Sequence, residues 1–99
     1  MPAYVIAWLT VNDPERMAPY RAEAPEVLAR YGGKYVSVGP GTEALEGDWS
    51  ADGMAILEFP SREAAIEWYE SPEYRPLREL RQDAADTVIL VSPEQPAVR

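Results

Sequence analysis

The stretch Ala3–Val11, AYVIAWLTV, decides how the rest of the chain is read. It is rich in β-branched and aromatic residues and lies between Pro2 and the turn-forming Asn12-Asp13-Pro14, so it is read as a strand. Successive side chains of a strand point to opposite faces. Tyr4, Ile6 and Trp8 therefore point one way, and Val5, Ala7, Leu9 and Val11 the other. Both sets are apolar. A sheet with water on one side alternates apolar with polar residues, so this strand needs cover on both faces.

Outward from that strand, Asp13 can cap a helix that Pro14 opens. Met17, Tyr20, Ala24, Val27, Leu28 and Tyr31 recur at helical spacing until Gly32-Gly33 stops the run. Pro19 and Pro25 each remove a backbone donor, which predicts a kinked or broken helix. Lys34–Val38 is a second strand, ended by Gly39-Pro40-Gly41, and Met54–Phe59 a third after a polar stretch. Ser61 caps a second helix with Glu63 in its first turn and Ala65, Trp68 and Tyr69 as its apolar stripe. Ser71-Pro72 restarts a helical turn, and Pro76 predicts another break before Leu77 and Leu80. Thr87–Val91, again apolar on both faces, is the last strand.

Strand, helix, strand, strand, helix, strand is the βαββαβ order of the ferredoxin-like split βαβ, an α+β fold. One domain over 1–92 and an unstructured tail over 93–99 are expected. Right-handed crossovers place the helices on one face of a four-stranded antiparallel sheet. The other face is apolar too, and its economical cover is the same surface of a second copy, giving a homodimer packed through the sheet face. The competing expectation is that long aromatic side chains shield themselves.

Composition narrows the function. Seventeen acidic residues against nine basic ones give a formal charge of −8, which repels nucleic acid and anionic membrane surfaces. No apolar run approaches the roughly 18 residues of a membrane span, and the start lacks the pattern of a secretory signal, so a cytoplasmic location is expected. The chain has no cysteine and no histidine, which excludes Ser-His-Asp and Cys-His nucleophile pairs, histidine zinc sites and histidine-ligated haem. Acid–base chemistry near neutrality is left to a carboxylate of raised pKa, a tyrosine, or the single lysine, Lys34.

The runs YVIAWLTVNDPE (4–15), RYGGKY (30–35), LEGDW (45–49) and LEFPSREAAIEWYESPEYR (57–75), with the final strand, resemble the small bacterial proteins grouped as domain of unknown function 1330. The resemblance covers about Met1 to Ser92. It implies a dimeric α/β barrel, in which two ferredoxin-like sheets pack together. It implies no activity, because relatives in that superfamily range over cofactor-free monooxygenases, isomerases and haem-binding proteins.

Six residues are singled out. Glu58 shares a strand face with Met54 and Ile56. Between two sheets its carboxylate would be desolvated and could act as general acid or base, whereas an edge position or an ion pair with Arg21 or Arg62 would make it structural. Glu46 is the second catalytic candidate, beside the long hairpin loop. Trp49, in the same loop, walls a pocket or docks on the core or the partner. Tyr20 and Tyr74 stand near expected helix breaks and could line a cavity, and Arg21 could anchor a ligand carboxylate. Glu43, Glu46, Asp48 and Asp52 lack the order of a calcium loop, so no metal site and no cofactor are expected. Two functions follow: binding or transforming a small oxygenated or carbonyl-bearing metabolite without metal or organic cofactor, or a non-catalytic homodimeric ligand-binding or interaction module.

Overall fold

The computed structural model describes residues 1–93, so of the tail expected over 93–99 all but the first residue lies outside the described residues. The elements run β1 (Ala3–Val11), α1 (Pro14–Arg30), β2 (Lys34–Gly39), β3 (Gly53–Phe59), α2 (Arg62–Glu70), α3 (Arg75–Ala84) and β4 (Ala85–Val91). The strands form one antiparallel sheet in the order β2-β3-β1-β4. The ferredoxin-like order is therefore present, with the second helical region divided in two.

That division has a local cause. Ser71 ends α2, where its Oγ–H donates to the Trp68 carbonyl at 2.9 Å and its Oγ accepts from the Tyr74 amide at 3.1 Å. Pro76 then lies in the first two positions of α3, so it opens a helix instead of interrupting one. Of the kinked or broken helix expected, the break is absent: α1 is one continuous helix from Pro14 to Arg30. α1 runs through Pro19 and Pro25, both exposed, because Met17, Ala24, Val27 and Leu28 bury its other side. An interior proline costs about 3 kcal/mol. Full burial of one Leu or Met returns roughly 1.5–3 kcal/mol, so the stripe offsets the lost rungs.

The core lies between the helices and one sheet face, where Val5, Leu57 and Phe59 meet Leu28, Trp68, Tyr74 and Leu77. Trp68 stacks at 4.3 Å from Tyr74 and 5.3 Å from Phe59. Gly33 is obligatory here, since a Cβ on it would lie 2.6 Å from Leu28 Cδ1 and 2.8 Å from Phe59 Cε1. The opposite face carries Tyr4, Ile6 and Trp8 beside Glu58, Ile56, Leu90 and Val88. No helix of the described residues covers it, and Val88 and Leu90 remain 48% and 50% exposed.

Candidate functional site

α1 does not close fully onto the sheet. Ala24 on the helix opposes Ala7 and Ala55 on the central strands, and small side chains on both sides leave a cavity of about 730 Å³. Leu9, Leu57 and Ile89 extend its floor, while Met17, Tyr20 and Arg21 form its roof. Tyr35 and Val38 of the edge strand stand along it. A register shift between Tyr35 and Ser37 puts both on the helix side, with Tyr35 opposite Leu57 and Val38 opposite Ala55.

The polar groups of this apolar space are few. Arg81, on α3, is only 3% exposed and lines the cavity, yet its Nη2 is buried without a hydrogen-bond partner among the described residues. Its Nε–H donates to Tyr74 Oη at 3.4 Å, a long bond. Tyr74 is fully buried, and its Oη lies 2.7 Å from Tyr20 Oη. Arg81 can only donate, so Tyr74 Oη is the acceptor of that bond, while either phenol can be the donor in the bond between Tyr74 and Tyr20. Burial first, and then the neighbouring Tyr74, hold the Tyr20 phenol far above its ordinary pKa. Partial burial shifts Tyr35 in the same direction. Trp68 also lines the cavity and also has a buried ring N–H without a partner. These side chains therefore offer donors. The carboxylate on the lining, Asp52, is exposed and accepts from the Val11 amide at 2.8 Å.

Five of the six residues expected from sequence are divided between two faces, and the sixth lies in a loop. Tyr20 and Arg21 line the cavity, and Tyr74 backs it through the hydrogen bond to Tyr20. Glu58 lies across the sheet on the uncovered face, opposite Tyr4 on one side and Lys34 on the other. Trp49 docks against Trp8 of that same face, ring centroids 5.6 Å apart. Glu46 is exposed in the loop between β2 and β3. Among the described residues, no group of three or more acidic side chains is arranged to hold a metal ion. No helix of the described residues is long and apolar enough to cross a membrane.

The model of the family described as domain of unknown function DUF1330 matches residues 2–93. This chain belongs to the DUF1330 family. Its fold is shared by a protein of unknown function from Rhodopseudomonas palustris, 28% identical, with 96% of this chain and 84% of that one covered and a TM-score of 0.75. A dimeric ferredoxin-like protein of unknown function from Jannaschia sp. CCS1 is 10% identical, with 94% and 99% covered and a TM-score of 0.74. SnoaB, a cofactor-independent oxygenase from Streptomyces nogalater, is 15% identical, with 98% and 96% covered and a TM-score of 0.68. At those identities the last two establish the fold alone. No curated protein matches the chain.

Sequence reasoning missed two residues that matter to this DUF1330 cavity. Trp68 was assigned only to the apolar stripe of its helix, and Arg81 was not singled out. Arg81 carried a readable signal: Leu77, Arg81 and Ala84 follow at helical spacing, so the arginine sits on the buried stripe of α3. A charge at that register is buried, and a buried charge needs a partner.

Proposed function

We propose that this DUF1330 protein is a homodimer that binds a small, largely apolar metabolite carrying an oxygen acceptor, held in the cavity between α1 and the sheet. One observation carries the reading: a cavity of about 730 Å³, the size of a small-ligand site, lies within the helix–sheet layer with Arg81 in its wall. Tyr20, Arg21 and Tyr74 belong to this site as roof and support. Glu58, Trp49 and the apolar row around them belong to the dimer face, where a second sheet would cover them; the dimeric relative from Jannaschia supports that packing.

Chemistry on the bound molecule without a resident cofactor is the second reading, favoured by the hydrogen-bonded phenols of Tyr20 and Tyr74, which keep their protons beside the cavity as neutral polarising groups with Arg81 behind them. Glu58 and Glu46 are then outside the reaction. The fold of a cofactor-independent oxygenase agrees with this reading.

The test is calorimetric titration with naphthalene-2-carboxamide, a flat neutral probe with a carbonyl. Saturable binding is expected in the wild type and should be lost in Ala55→Phe, whose ring fills the cavity from the central strand. Absence of binding by both this amide and the matching acid, or binding that Ala55→Phe leaves unchanged, overturns the reading. Mass analysis of the recovered probe separates binding from turnover.

A further inference from the structure

The donors around the cavity are unbalanced. Arg81 carries a permanent positive charge and is 3% exposed, with its Nη2 unpartnered. Leaving such a charge buried without a counter-charge is strongly unfavourable. Its hydrogen-bond partner is a phenol at 3.4 Å, which brings no negative charge. The Trp68 ring N–H is buried and equally unpartnered, and Trp68 and Arg81 both line the same space. Tyr20, in contact with Tyr74 at 2.7 Å, lines the same space with its phenol.

Resting on the proposed cavity function, we propose that Arg81, Trp68 and Tyr20 form an oxyanion receptor, so the ligand is the carboxylate of an aromatic acid and not a neutral molecule. Arg81 supplies the charge, and the indole and phenol supply directional donors. Tyr74 is a positioning residue: its Oη accepts from Arg81 Nε and shares a hydrogen bond with Tyr20 Oη, which fixes both groups relative to each other. The apolar floor of Ala7, Leu57 and Ile89 takes the ring. The protein's overall negative charge opposes an anion at long range, so recognition depends on this one desolvated cation.

The experiment compares naphthalene-2-carboxylate with naphthalene-2-carboxamide at pH 7.5 on wild type, Arg81→Met, Arg81→Lys and Trp68→Phe. In the wild type the acid should bind at least tenfold more tightly than the amide. Arg81→Met should erase that preference by weakening the acid far more than the amide, Arg81→Lys should retain part of it, and Trp68→Phe should weaken the acid more than the amide. Equal binding of acid and amide by the wild type overturns the receptor but leaves the cavity reading intact, provided Ala55→Phe still abolishes amide binding. Failure of both probes overturns the two together. Should Arg81→Met not fold, the wild-type comparison and Trp68→Phe still decide: a tenfold preference that Trp68→Phe reduces supports the receptor, and its absence refutes it.

Discussion

The phenolic oxygens of Tyr20 and Tyr74 lie 2.7 Å apart, joining the middle of α1 to the start of α3 across the end of the cavity. Tyr74 is fully buried and also accepts from Arg81, whereas Tyr20 is only partly buried. Removing the Tyr74 hydroxyl leaves two groups without their partner. Tyr74→Phe should destabilise the fold by about 1–3 kcal/mol, and Tyr20→Phe by less, near the ~1 kcal/mol of one hydrogen bond. Urea unfolding of both variants checks the order, and a larger loss for Tyr20→Phe would contradict it.

Gly33 is held by contact and Gly47 by conformation. A Cβ at Gly33 would overlap Leu28 and Phe59, while one at Gly47 meets nothing within 4 Å, although its φ is +83°. Gly33→Ala should cost about 1–3 kcal/mol through overpacking. Gly47→Ala should cost roughly 1–2 kcal/mol through its backbone alone. Crystal structures distinguish the two, with displaced Leu28 and Phe59 side chains expected only in the first.

Tyr31 donates to a carboxylate oxygen of Glu73 at 2.9 Å, tying the end of α1 to the turn before α3. The bond holds the Glu73 carboxyl below its ordinary 4.5, with a smaller contribution from its own backbone amide. The same bond, as the largest cause, holds the Tyr31 phenol above 10. The Glu73 contribution to stability is thus present above pH 4.5 and is lost as pH falls through the depressed value. The Tyr31 contribution is present below pH 10 and is lost as pH rises through the raised value. Melting temperature followed from pH 2.5 to 11 should show both losses in the wild type, whereas Tyr31→Phe should lack the alkaline loss and keep only the smaller acid loss that the Glu73 backbone amide supplies. The pair is solvent-facing, so the differences should be small.

The uncovered sheet face should be a dimer contact. Leu90→Lys and Ile6→Glu place charges there and should convert the dimer to monomer in sedimentation at micromolar concentration while preserving the circular-dichroism spectrum. Val5→Glu puts the same charge on the helix side, where Val5 is 3% exposed, and should unfold the chain through a buried unpaired charge. A wild type that sediments as a monomer at this concentration would contradict the prediction.

The fold was legible because strand faces leave a period of two in the sequence. Ala3, Val5 and Ala7 alternate with Tyr4, Ile6 and Trp8 in burial as they do in the text. The dead stops were legible too, since Gly32-Gly33 and Pro60-Ser61 end elements by rules that act within a few residues. Helix continuity at Pro19 and Pro25 was not, because the compensation comes from tertiary burial of the opposite side of α1. The site was legible in type but not in assembly. Tyrosines near a cleft could be named, yet whether Glu58 and Tyr20 share it depends on which sheet face the helix covers. Periodicity divides the two faces without saying which is which. The cavity itself arises from Ala7, Ala24 and Ala55 meeting across layers, residues that look unremarkable one at a time.

Pro19 and Pro25 leave α1 two helix hydrogen bonds short beside the cavity. Without their amide hydrogens, the carbonyls of Glu15 and Arg21 lose the partners that a regular helix would give them. Pro25 and Arg21 both stand in the cavity roof. Bending that part of α1 outward breaks fewer bonds than bending its C-terminal end, where Gly33 and Gly32 amides close on the Leu28 and Ala29 carbonyls. The roof is thereby the stretch of α1 held by the fewest helix hydrogen bonds, while the C-terminal end is closed by the Gly32 and Gly33 amides.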